Sequence, residues 1–498
     1  MQNLLSLIRL LFILSISAFA LLSCADIQKD ALRFGLASMP VTLDPRFATD
    51  AASARINRLL YRRLVDFDES SMPVEDLAAW NRITPAHYRF VLGEHGRQFS
   101  DGTYLNAKDV KATYEYILDA NNASPHRISL SHIRKIKAVD DDTIDFYLTR
   151  ADPLFPGRLI IGIVPQQLIN AQHPFNRQPA GSGPFKLLSW PDSTRLQLIR
   201  LADNQRVEFI HVQDPTVRVL KILRGEIDMM QNDLPPELVT YLTKQPDLQL
   251  QKGAGSNFVY LGFNMNDETA GRLKVRQAIA HAIKREEIIK YVLGGAAHTA
   301  NTLLPPDHWA GHPGLVSYPY DPDESRRLLR EAGYTENNSP HIIYKTSSDP
   351  FRLRLATIIQ QQLAEAGIQV ELRSYDWGTF YGDIKTGNFQ MYSLMWVGIK
   401  IPDIFHYVFH SGAVPPQGAN RGRFISEIAD KLIESAEASD AVADQARQYR
   451  ELQEYLLKQL PYVPLWYEDH VFISRKDVTG YKIAKDGNYD GLISVHRQ

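Results

Sequence analysis

Apolar and polar residues follow two rhythms along this chain, and the rhythm changes often. A period of two marks residues 88–92 and the run in which Ile368, Val370 and Leu372 share one face, as expected for strands with one buried side. Arg33-Phe34-Gly35-Leu36 and residues 391–397 predict further strands, and residues 133–139 and 143–148 predict a hairpin turned by Asp140-Asp141-Asp142. A helical period appears over residues 55–64, where Ile56, Leu59, Leu60 and Leu64 fall on one face, and again after Asn106, with Val110, Tyr114 and Ile117 or Leu118. Val275, Ala278, Ile279, Ala282, Ile283 and Ile289 make a longer core-facing stripe that Gly294-Gly295 would end. Helices are also expected from Asp321-Pro322 to a stop at Gly333, over 353–366 up to Gly367, and over 428–436 and 441–460. Strands alternating with helices in the second half predict an α/β lobe.

The punctuation supports these elements. Ser100-Asp101-Gly102 bends the chain, Asn106 can cap the helix that follows, and Asp109 places negative charge in its first turn. In Pro179-Ala180-Gly181-Ser182-Gly183-Pro184-Phe185-Lys186 the two glycines are read as permitting backbone angles closed to other residues, at a tight crossing between lobes.

Length and charge narrow the class. The 498 residues, 44% hydrophobic and 22% charged, suit a large globular protein of two to four domains. A net charge of -2 advertises no nucleic-acid partner, and no long apolar run occurs beyond the N-terminus. There, Arg9 precedes an apolar core at residues 10–22, so residues 1–23 read as a signal peptide. Leu21-Leu22-Ser23-Cys24 resembles a lipobox, which implies cleavage before Cys24 and lipidation of it. Cys24 is the only cysteine, so neither an intramolecular disulfide nor a thiolate metal cluster can form.

The sequence has no His-Glu-x-x-His, no Gly-x-Ser-x-Gly, no phosphate loop and no dinucleotide fingerprint. The aspartates at 140–142 lack the glycine and terminal glutamate of a calcium loop. His308 and His312 have helical spacing, but Pro305, Pro306, Gly311 and Pro313 predict a loop with two surface histidines rather than a metal site.

A series of segments resembles, in order, the bacterial extracellular solute-binding proteins of family 5, the peptide- and nickel-binding components of ABC importers. They are the Leu43-Asp44-Pro45 opening, the Phe99–Val110 cassette, Gly181-Ser182-Gly183-Pro184-Phe185, Gly225-Glu226-Ile227-Asp228, Leu261-Gly262-Phe263-Asn264, Val275-Arg276-Gln277-Ala278-Ile279 and Pro461-Tyr462-Val463-Pro464-Leu465. The resemblance implies an α/β, type II periplasmic-binding-protein fold: two lobes joined by a hinge, with an additional inserted domain. The expected layout is lobe I from 24–58, 177–258 and 467–498, an inserted domain II over 59–176, and lobe III over 259–466. It implies a lipid-anchored monomer at the cell envelope, in the periplasm, that captures oligopeptides, performs no chemistry, needs no cofactor or metal, and works with separate permease and ATPase subunits.

The same resemblance nominates ligand contacts. Trp396-Val397-Gly398 corresponds to a wall and strand end where relatives carry Trp-x-Ala-Asp, whose aspartate holds the ligand's ammonium. That position is Ile399 here. Either a shifted loop brings Asp403 to the task, or the ligand has no free ammonium at that point. Trp377 is a cleft tryptophan or lobe packing. Met39, Asn232, Tyr260 and Tyr467 are carried over from matching segments. Arg421 is either a carboxylate contact or a solvent-exposed loop residue. A non-peptide solute such as a nickel chelate, haem, opine or oligosaccharide stays open, as do a periplasmic peptidase and a sensor.

Overall fold

Two long strands carry the architecture of the computed structural model, which describes residues 31–335 and 337–498. Leu248–Phe263 and Tyr462–Arg475 pair antiparallel for most of their length in the middle of an 11-stranded sheet. On one flank lie Met229–Gln231, Ala31–Leu36, Arg206–His211, Arg195–Arg200 and Phe185–Asp192; on the other lie Met391–Trp396, His341–Ser347 and Gln369–Tyr375. The first flank is lobe I and the second lobe III, so the two strands are the crossings that join them. The ladder is irregular at two places, and the wider break lies between the flanks: Gly253 faces His470, pairing resumes at Asn257 with Glu468, and residues 254–256 are skipped. At Gly255 a side chain would have its Cβ 2.1 Å from the Glu468 carbonyl oxygen, so only glycine fits.

Each flank has its own core. Phe34, Leu36, Ile56, Leu59, Phe185 and Phe209 pack in lobe I, whereas Val275, Ala278, Ile279, Ile342, Ile359 and Trp466 pack in lobe III. A third core belongs to a four-stranded antiparallel sheet, ordered Ala78–Thr84, His87–Leu92, Thr143–Leu148, Ile133–Ala138, with the helix Ala107–Leu118 against it. Tyr88, Phe90, Val110, Tyr114, Ile117 and Phe146 fill that core, which is domain II. Asn106 caps its helix, and Asp109 reaches back to the Asn106 amide, completing a reciprocal cap. Asp321 and Asp349 cap two lobe III helices that carry proline in the first turn.

Four expectations change. The helix expected at 55–64 is Ala51–Leu60, capped by Asp50; Tyr61 is extended, and Leu64 belongs to the domain II core. The long stripe is not one helix. Leu273–Ala282 ends where Ile283 turns extended, because the buried Arg285 guanidinium is drawn inward to the carbonyls of Ala280, Tyr318 and Pro464. Gly181 and Gly183 do not use positive φ; they are small because a Cβ would lie 2.0 and 2.4 Å from backbone atoms of the 59–60 segment. His308 is not a surface residue. It is 3% exposed, its Nε2 faces the Lys400 carbonyl at 3.1 Å, and His312 separately meets Glu454 at 3.0 Å. The signal peptide and Cys24 lie outside the described residues. No helix among the described residues is long and apolar enough to cross a membrane.

Candidate functional site

Two cavities lie between the lobes, and the end of the strand Met391–Trp396 separates them. The larger, about 800 Å³, has lobe I residues Ser38, Arg55, Arg218, Asn232 and Asp233 on one side. Phe351, Arg352 and Met395 of lobe III face them, with Asn257, Glu468 and His470 from the two crossing strands. The smaller, about 500 Å³, is walled by Arg55 and Arg58, by Phe67 and Arg158 of domain II, and by Gly398, Lys400 and Asp403 of lobe III. Ala51, Arg55 and Val397 line both. These volumes suit a small organic solute.

Strand alternation decides which nominated residues reach the cavities. Met395 and Val397 point one way, so Trp396 points the other. It joins Phe258, Tyr260, Tyr392, Tyr462 and Tyr467 in a second apolar cluster behind the sheet. Tyr260 is fully buried with its ring 3.8 Å from that of Tyr462, and the Tyr467 hydroxyl lies 2.6 and 2.8 Å from the carbonyls of Thr302 and Leu304. Arg421 is not the solvent-exposed loop residue considered above. It is 7% exposed, lies 4.8 Å over the Trp396 ring and donates to the hydroxyls of Tyr260 and Tyr381. Tyr260, Trp396, Tyr467 and Arg421 are therefore brought together, but not on a cavity wall. Trp377 is 59% exposed and stacked on Tyr381, and Met39 packs on the lobe I core while its neighbour Ser38 lines the cavity. Asn232, Val397, Gly398 and Asp403 do line the cavities.

The charges are arranged in both signs. Arg352 meets Glu468 at 2.8 Å, and Lys400 meets Asp486 at 2.6 Å. Asp403 is not free: Arg158 holds it at 2.7 Å and reaches Asp152 at the same distance. Burial pushes the Asp403 carboxyl up, opposed by the Arg158 charge. Asp152 is also buried, yet the nearby His132 ring and Arg158 hold it well below the usual carboxylate range. Arg55, by contrast, has no carboxylate partner among the described residues and leans on the Tyr489 ring at 5.4 Å. Arg55, Asp233, Arg352 and Glu468 were not nominated from sequence, because an isolated charge on a helix face or after a strand carries no pattern. Among the described residues, no group of three His, Cys, Asp or Glu side chains could hold a metal ion.

Comparison with known proteins places this geometry. The model of the bacterial extracellular solute-binding proteins, family 5 Middle, matches residues 84–413. The dipeptide-binding protein of Escherichia coli (strain K12) is 25% identical over 518 residues, covering 96% of this chain and 96% of its own. Among solved structures, the Helicobacter pylori ABC transporter-associated periplasmic binding protein DppA in complex with the peptide STSA superposes with a TM-score of 0.78 at 26% identity, over 94% of this chain and 98% of that one. NikZ from Campylobacter jejuni in complex with Ni(L-His) gives 0.81 at 23% identity, over 94% and 100%.

Proposed function

The chain belongs to the bacterial extracellular solute-binding proteins of family 5, and from that premise we propose that it is the substrate-binding subunit of an ABC importer, capturing short peptides between its lobes and passing them unaltered to a membrane permease. The observation that carries this is the pair of inter-lobe cavities meeting at Val397, where the sheet ladder has just stopped at Trp396 opposite Phe258. A strand end bordering a polar cavity suits an extended backbone, which can add hydrogen bonds there while its side chains enter the two spaces. The two crossing strands supply a hinge, and closure excludes water, so a ligand must match the charged walls. The relatives that bind a dipeptide and the peptide STSA support the same substrate class.

The protein then acts as a periplasmic monomer held at the cell envelope by lipidated Cys24. Ile399, standing where relatives carry an ammonium-binding acid, favours a second reading in which the solute is not a peptide, as in the neighbour that holds Ni(L-His). Native mass spectrometry of the purified protein, followed by calorimetry with di- to pentapeptides, separates the two. Peptide masses that leave on denaturation and rebind support the first reading, and a metal chelate or other organic solute in their place overturns it. A diacylglyceryl mass on the N-terminal fragment checks the anchor; an unmodified Cys24 refutes it.

A further inference from the structure

The segment Asn232-Asp233 is held rigidly and one of its groups is left unmatched. Both residues adopt left-handed backbone, with φ of 61 and 56 degrees, a conformation that asparagine and aspartate take more readily than other non-glycine residues and that neighbours hold in place here. Those neighbours are visible. The Asn232 amide side chain meets His470 at 2.9 Å and accepts from the Val471 N–H at 2.9 Å, while the Asn232 N–H donates to the Val471 carbonyl. Buried Arg218 grips the Asp233 carbonyl. Yet among the described residues no donor reaches the Asp233 carboxylate, which faces the larger cavity. The charged groups around it are Arg218, Arg55, Arg352 and Glu468, none of them paired with it. Arg218 spends its guanidinium on carbonyl oxygens, Arg352 is taken by Glu468 and Lys252 donates to the Gly294 carbonyl, whereas Arg55, among the charges around Asp233, has no carboxylate partner among the described residues.

Asp233 is open to the cavity rather than buried, so its carboxylate keeps its full charge and is free to form a charge-assisted hydrogen bond with a cation that enters. We propose that Asp233 receives the ammonium of the ligand, the role that Ile399 cannot perform, and that Arg55 receives a carboxylate, so that the site selects compact solutes bearing both charges. This rests on the solute-capture function above and supplies its missing anchor from lobe I rather than lobe III. The ammonium belongs either to a free α-amino terminus or to a lysine-like side chain.

The test is a cycle between protein and ligand in calorimetry, using wild type, Asp233→Asn and Arg55→Gln with four probes: Ala-Ala-Ala, its N-acetyl form, its C-terminal amide, and N-acetyl-Ala-Lys. Asparagine tolerates the same left-handed backbone, so Asp233→Asn is expected to melt near the wild-type temperature. Loss of the carboxylate is expected to weaken an amine-bearing probe by about thirtyfold or more and to leave N-acetyl-Ala-Ala-Ala unchanged. An effect confined to Ala-Ala-Ala identifies the α-ammonium; an effect on N-acetyl-Ala-Lys identifies the side-chain amine. Arg55→Gln should weaken Ala-Ala-Ala but not its C-terminal amide. If wild type binds these probes and Asp233→Asn binds them equally well, the anchor is wrong and the peptide-carrier function stands. If wild type binds none of them, both fall.

Discussion

The lobes meet in two ways, and the two junctions are built from different forces. At the hinge, Leu248–Phe263 and Tyr462–Arg475 pass from one flank of the sheet to the other, joined by backbone hydrogen bonds and largely buried. Across the cleft, domain II and lobe III touch through side-chain charges, Arg158–Asp403 at 2.7 Å, Arg82–Asp440 at 2.5 Å and Arg150–Glu437 at 3.7 Å, with a lone backbone bond, from the Trp309 N–H to the Ser70 carbonyl, and no ladder among the described residues. Backbone ladders have no substitute in water once buried, whereas partly exposed ion pairs exchange readily for hydration. The first junction is permanent and the second is releasable. A protein that must admit and discharge a solute needs that division.

The sharpest way to break the comparison is at the hinge. Gly255→Val would drive a branched side chain into the Glu468 carbonyl, a backbone atom that cannot move aside without splitting the ladder. We expect a loss of at least about 3 kcal/mol in urea unfolding; a melting temperature within two or three degrees of wild type would show that this crossing is not a structural pivot. Next in size is a pH effect at the loop that follows Gly398. Burial pushes the His308 imidazole down to about 4, although the Lys400 carbonyl opposes the shift, and Lys485, Asp307 and Lys400 are the charges around it. The unfolded chain takes up a proton near pH 6.5 that the folded chain refuses until about pH 4. Stability is therefore full above 6.5 and falls as pH drops through that window, by up to about 3 kcal/mol. Burial also lowers His126 and His470, so the quantity to measure is the difference between wild type and His308→Gln at pH 7 and pH 5. Parallel pH curves would refute it.

The contrast between junctions also explains what was legible in the sequence. Domain II is held by local signals that survive in one dimension: the Asn106 cap with Asp109, the alternation at residues 88–92, and the turn before Thr143–Leu148. The strand end at Val397-Gly398 was legible for the same reason. Its neighbour Trp396 was not, since residue type suggested a cavity wall and the two-residue period turned the ring to the back of the sheet. Tyr260 and Tyr467 went the same way. The helix after Leu273 misled because apolar spacing continues past Ala282, while the force that bends the chain comes from Arg285 reaching carbonyls of distant segments. Arg55 and Asp233 share a cavity only because lobe I and lobe III are folded against each other, and no spacing rule encodes that.

The smaller effects belong to the seam. Arg158→Ala would leave Asp152 and Asp403 facing each other without their cation, and about 2 kcal/mol of the closed state should be lost, less than for a fully buried pair because burial already favours protonation of Asp403. Small-angle scattering of the ligand-free variant should show a larger radius of gyration than wild type, and superimposable curves would remove Arg158 from the seam. Arg82→Ala should do almost nothing. Its partner Asp440 keeps 63% of its side chain in solvent, so water replaces the guanidinium with little penalty and the expected change is below about 0.5 kcal/mol. The diagnostic is salt. Raising ionic strength to 1 M shortens the screening length to about 3 Å, which should erase the difference between Arg82→Ala and wild type while leaving most of the Arg158→Ala difference, because the Arg158–Asp152 half of that cluster keeps only 13% and 12% of its side chains in solvent, although Asp403 is more open. If salt abolished both differences equally, the seam would be a uniform surface contact, with no distinct inner lock at Asp152, Arg158 and Asp403.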